Sequence, residues 1–119
     1  MGYEYWPRAV EAGIRHAAEV AQIPIFVTES GIGTTDDDQR IRYLTEVLEG
    51  VRRALDDGID VRGYFCWSLL DNFEWNHGYG PRFGIASVDR VTQARTLKPS
   101  ATWLGKIART NRLDDNWIR

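Results

Sequence analysis

The chain has 119 residues, 43% hydrophobic and 27% charged, with a formal net charge of −2. That is the composition of one ordinary globular unit, without the basic excess that nucleic-acid binding calls for. No apolar run approaches the roughly 20 residues of a membrane span, Glu4, Arg8 and Glu11 break up the start where a secretory leader would be apolar, and the single cysteine, Cys66, permits neither an internal disulfide nor a cysteine metal cluster. The expectation is a cytoplasmic protein with no cofactor, no metal, no nucleic-acid partner and no membrane partner. Its five tryptophans are an excess that needs a reason.

In chain order, Tyr3, Tyr5 and Trp6 lead into Pro7, which a helix tolerates in its first turn. Val10, Ile14, Ala17 and Ala21 recur at helical spacing, which predicts an amphipathic helix over 7–21 that Pro24 ends. Ile25-Phe26-Val27-Thr28 is β-branched and apolar on both faces, as in a parallel strand covered by helices. Glu29 stands at its C-terminal end, followed by the turn Ser30-Gly31-Ile32-Gly33. Asp36, Asp37 and Asp38 suit a helix N-terminus. Ile41, Leu44, Val47, Leu48, Val51 and Leu55 then predict one face of a helix over 38–56, with Glu49 and Arg53 paired on its wet side. A second strand is expected over 61–68, a loop over 69–82, a short extended excursion over 83–94, and a last helix opening at Pro99-Ser100 with Trp103, Leu104 and Ile107 on one side. Strands alternating with helices imply a parallel sheet. Two strands do not complete one, so the pattern reads as a slice of a larger α/β structure.

The stretch 63–84 organises the rest. Its apolar start, Gly63-Tyr64-Phe65-Cys66-Trp67-Ser68, changes within a few residues into Leu69-Leu70-Asp71-Asn72-Phe73-Glu74-Trp75-Asn76-His77-Gly78-Tyr79-Gly80-Pro81-Arg82-Phe83-Gly84. A buried strand that ends in acids, amides and indoles aims rigid side chains at a ligand. Indole faces beside carboxylates suit a sugar, whose C–H face stacks and whose hydroxyls need charged or amide partners.

Thr28-Glu29-Ser30-Gly31, the run from Trp67 to Tyr79, Arg82-Phe83-Gly84, Val88-Asp89 and Lys98-Pro99-Ser100 together resemble the C-terminal part of family 1 glycoside hydrolases, the β-glucosidase type. The match extends over about residues 1–110. Thr-Glu-x-Gly alone is weak; the Trp-Ser-Leu-Leu-Asp-Asn-Phe-Glu-Trp run joined to it is specific. The resemblance implies a (β/α)8 barrel with its site at the C-terminal face of the strands. This chain would supply the helix before strand seven, strand seven, its helix, strand eight and the closing helix. It further implies that Glu29 is the nucleophile of a retaining reaction. Trp67 would lie under the sugar ring, Glu74 and Trp75 would hold its hydroxyls, and Phe83 would form a wall of the pocket. The substrate class implied is a β-glucoside or oligosaccharide without phosphate, which Glu74 would repel.

Two departures from the family pattern stand out. Ser30 occupies a place where the family most often has asparagine, with an effect expected at the rim of the site. The Asn-Glu-Pro motif that supplies the second, acid/base carboxyl is missing, since the other acids read as helix-surface or sugar-holding groups. Met1-Gly2-Tyr3 aligns inside the family pattern, which suggests a truncated frame or gene fragment. The isolated chain is therefore expected to be inactive. The alternatives are a non-catalytic sugar binder, a non-functional fragment that does not fold, and a piece complemented by the missing N-terminal part of the barrel. Bland readings are kept for the remaining candidates: Trp6 and Trp103 in the core, His16 structural, His77 at the rim, Cys66 a buried inert thiol, Asp71 and Asn72 ordering the loop backbone.

Overall fold

The computed structural model describes residues 3–113. Helix α1 (Arg8–Ala21) starts from Pro7 and closes on Gln22, whose left-handed backbone (φ 53°) lets its N–H donate to the Ala18 carbonyl at 3.0 Å. Strand β1 (Ile25–Ser30) runs two residues further than the apolar run alone predicts and takes in Glu29. Helix α2 (Asp37–Asp56) is capped by Asp36, whose Oδ1 accepts the N–H groups of Asp38 (3.0 Å) and Gln39 (3.1 Å), satisfying donors that a helix start otherwise leaves bare. Strand β2 (Val61–Cys66) ends short of Trp67 and Ser68. A single 3₁₀ turn (Trp75–His77) interrupts the long loop; β3 (Ala86–Val88) and β4 (Arg95–Leu97) form an antiparallel hairpin, and α3 (Pro99–Thr110) closes the chain. The hairpin turn is built by Asp89, whose Oδ1 accepts from the Val91 and Thr92 amides at 2.9 and 2.7 Å.

β1 and β2 pair in parallel, with α1 and α2 packed on one face. Ile14, Val51 and Ala54 form the centre of that core, and Val10, Ile25, Val27, Ile59, Val61 and Tyr64 pack around it. The other face of the pair is bare: Phe26 is 54% and Phe65 58% exposed.

The buried stripe of α2 is Arg40, Leu44, Val47, Gly50, Val51 and Ala54. It is rotated from the expected one: Leu55 is exposed, and a charged residue heads the stripe. Arg53 reaches across to α1, donating through Nε and Nη2 to Glu11 Oε2 at 3.0 and 2.7 Å, rather than pairing along its own helix with Glu49. Trp103 is 2% exposed, as expected of a core residue, whereas Trp6 is 55% exposed and is no core residue among these elements. Asp37 turns away from its own helix start. Its two carboxylate oxygens accept from the Ser100 amide (2.7 Å) and hydroxyl (2.8 Å), so an α2 residue caps α3.

Burial under α2 sets the titration of the buried face. It pushes the Cys66 thiol up to about 11 from an ordinary 9.0, and raises the phenols of Tyr64 and Tyr43. The neutral forms are favoured in the folded state, so this contribution to stability is intact below the ordinary thiol value and is lost as pH rises through the folded one. Denaturant midpoints should therefore fall between pH 9.0 and about 11, and Cys66→Ala should flatten that decline; an unchanged decline would remove Cys66 as a contributor. Trp103→Ala should cost about 3–5 kcal/mol in urea unfolding, a large part of the stability of a domain this size.

Candidate active site

The sequence places Glu29 at a strand end, and the register of the sheet decides where it points. Val27 lies opposite Tyr64 and Ser30 opposite Cys66, so β1 has one residue more than β2 in this interval. Val27 packs into the helix-side core and Ser30 is 7% exposed on that same side. A bulge of one residue reverses the alternation of side chains; it falls in the interval that holds Glu29, which is exposed. On β2, Tyr64 packs helix-side while Phe65 and Trp67 stand on the open side, Trp67 at 39% exposure. Glu29 and Trp67 thus sit at adjacent strand ends. They line one shallow cleft of about 280 Å³ with Val10, Ser30, Gly31 and Tyr43.

The two loops that leave these strands run side by side. Trp67 N–H donates to the Ser30 carbonyl at 2.8 Å, and the Thr34 amide donates to the Arg82 carbonyl at 3.0 Å. Between these points the backbones nearly touch. A Cβ on Gly31 would lie 1.6 Å from the Trp67 carbonyl oxygen, and one on Gly33 would lie 3.0 Å from the Phe83 ring. Only glycine lets a second chain approach so closely. Phe83 is 6% exposed, with Gly33 against its ring. The Trp67–Ser68 peptide bond is cis. Ser30 Oγ is buried without a hydrogen-bond partner, while the Tyr64 hydroxyl donates to the Ser30 carbonyl at 3.5 Å.

Beyond Ser68 the loop is held by Asp71, 3% exposed. Its Oδ1 accepts from the Gly84 amide (2.9 Å) and Lys98 Nζ (3.0 Å), and Lys98 also donates to the Gly84 carbonyl at 2.6 Å. This is the backbone-ordering role expected of Asp71. Asn72 Nδ2 donates to Glu74 Oε2 at 2.9 Å, which orients that carboxylate. Trp75 follows with a positive φ of 45° and 82% exposure, and Phe73 meets Tyr79 edge-on at 5.3 Å, with Arg90 over the Tyr79 ring. Glu29 and Trp67 are thus brought together, Glu74 and Trp75 lie on the loop that follows Trp67, and Phe83 is buried against Gly33. Among the described residues no group of three or more His, Cys, Asp or Glu is placed to hold a metal ion, and no helix is long and apolar enough to cross a membrane.

The model of glycosyl hydrolase family 1 matches residues 1–113. The chain belongs to that family. A curated family 1 relative, the 1,4-beta-D-glucan glucohydrolase of Thermotoga neapolitana, is 39% identical over 97% of this chain. Among solved structures, the beta-glycosidase BGL167 is 57% identical with a TM-score of 0.91 over 93% of the chain, and the beta-glycosidase from Pyrococcus horikoshii is 41% identical with a TM-score of 0.93 over 97%. The chain spans about 28% of that curated relative's length and 27% of each of these structures. Its fold is therefore that of part of a family 1 barrel, as the resemblance implies.

Sequence reading missed the residues that hold the loops together. Arg40 was invisible as a helix residue, although a charge in register with Leu44, Val47 and Val51 on the buried stripe was a usable signal. Gly31 was read as part of a flexible turn, while its role is to make room for Trp67. Gly31→Ala should force the Trp67 carbonyl aside, costing about 1–3 kcal/mol as overpacking and shifting tryptophan emission; an unaltered spectrum with unaltered stability would contradict the close approach.

Proposed function

We propose that this chain is the C-terminal portion of a retaining β-glucosidase, with β1 and β2 as strands seven and eight of a (β/α)8 barrel, α1 preceding them and α3 closing it. The substrates are unphosphorylated β-glucosides, and the partner is the N-terminal part of the barrel. The observation that carries the reading is that Glu29, exposed in the bulged interval of β1, shares a cleft with Trp67 at the C-terminal ends of parallel strands. Active sites of such barrels lie at that face.

In the complete barrel, Glu29 attacks the anomeric carbon as the leaving-group oxygen takes a proton from an acid, giving a glycosyl ester; water then opens it with retained configuration. Trp67 stacks under the ring. Glu74, oriented by Asn72, accepts hydrogen bonds from distal hydroxyls, and the Trp75 indole N–H donates to a neighbouring one. Phe83 backs the pocket. A phosphate on the sugar would meet the Glu74 carboxylate and be repelled. Retention needs a second carboxyl about 5–5.5 Å from the first, and this sequence contains no Asn-Glu-Pro to supply it. The chain by itself is accordingly inactive.

A second reading, loose sugar binding without turnover, is favoured by the exposure of Trp75 and Trp67 beside an oriented carboxylate. Half a pocket supports an affinity no tighter than about 1 mM, or about 4 kcal/mol, and calorimetric titration with glucose measures it. The principal test adds the N-terminal part of a family 1 relative. The chain alone should release no chromophore from an aryl β-glucoside. The completed barrel should do so, and a 2-deoxy-2-fluoroglucoside should label Glu29. Turnover by the chain alone, or labelling of another residue, would refute the proposal.

A further inference from the structure

The buried guanidinium of Arg40 lies outside the groups assigned to the sugar, and its bonds go to the two site loops. Arg40 is 1% exposed. Nη1 donates to Asp37 Oδ1, and Nη2 donates to two backbone carbonyls at 2.5 Å each, Thr34 and Arg82. Those two residues are already bonded to one another, Thr34 N–H to Arg82 O at 3.0 Å. One guanidinium nitrogen therefore bridges the outermost point at which the Glu29-bearing segment meets the Phe83-bearing segment. Asp37, the counter-charge, is itself fixed by the amide and hydroxyl of Ser100. Arg40 Nε remains buried without a hydrogen-bond partner. A helix that needed only an apolar stripe would not retain a buried cation with an unmet donor. What the position gains is a rigid fork that lysine cannot copy.

We infer that Arg40 is a positioning residue that locks the loop following Glu29 to the loop carrying Trp67 and Phe83, and so fixes the nucleophile relative to the sugar platform. The inference rests on the glycosidase reading for which atoms react, but the lock itself does not. Between the lock and the strand ends lie the Gly31–Trp67 and Gly33–Phe83 contacts, which transmit any slip of one backbone against the other. A displacement of about 1 Å in such a site is worth up to about a hundredfold in rate.

The first test needs no activity. In the 119-residue chain, Arg40→Lys keeps the charge but has one nitrogen where the guanidinium uses Nη1 for Asp37 and Nη2 for the two carbonyls. Amide hydrogen exchange at Thr34 should accelerate by about tenfold or more while the interior amides of α1 keep their protection. Equal losses in α1, or unchanged exchange at Thr34, would overturn the lock, as would a wild-type Thr34 amide without protection. Arg40→Met removes charge and fork together. If it fails to fold, the lysine variant still decides the matter.

The second test uses the barrel completed with a relative's N-terminal part. Arg40→Lys should lower kcat per site titrated with the fluoroglucoside by about tenfold or more, with KM moving less. A merely structural role would lower the number of titratable sites and leave kcat per site unchanged, and that outcome would overturn the positioning role. An inactive wild-type barrel would instead refute the glycosidase reading, and the exchange measurement would still judge the lock.

Discussion

A parallel strand pair has to be covered on both faces, and this chain covers one. α1 and α2 seal Ile25, Val27, Val61 and Tyr64, while Phe26, Phe65 and Trp67 face outward. The rest of the architecture answers to that asymmetry. The helix side holds the apolar centre and the raised thiol and phenols; the open side holds the candidate chemistry. The one-residue bulge in β1 falls in the interval that holds Glu29, which is exposed and shares a cleft with Trp67. Without it, strict alternation would send the carboxylate into the layer under α2, where burying an unpaired charge is costly.

The loops that bear the site are ordered by polar groups rather than by apolar packing. Asp71 with Lys98 holds the start of one loop to its end. Arg40 holds that loop to its neighbour, and Asp37 holds Arg40 and the start of α3. Each of these groups is largely buried, so each depends on the others being present: removing one leaves a partner without its bond in a poorly solvated place. The site is thus tied to the helical layer through charge-assisted bonds, which are directional, and not through contacts that can slide.

Much of this was legible in the sequence. Helical and strand periods gave the element order, and the acidic run before α2 gave its cap, because these are local signals. The family resemblance gave the candidate residues. Three things were hidden, and for one reason. The bulge before Glu29, the room that Gly31 leaves for Trp67, and the bonds from Arg40 to Thr34 and Arg82 are all relations between segments far apart in the chain. A period in one segment carries no information about how another lies against it. Trp6 failed for the same reason, since an indole beside a helix start reads as core only if something packs on it.

The cap on α3 has a consequence for how the polypeptide assembles. Lys98, at the cap position, gives this helix no side-chain cap; the carboxylate of Asp37, 63 residues before Ser100, does so instead. A twelve-residue helix is marginal in water by itself. α3 gains this cap only against an α2 that has already formed. α3 is therefore a conditional part of the structure, ordered by docking as well as by its own sequence.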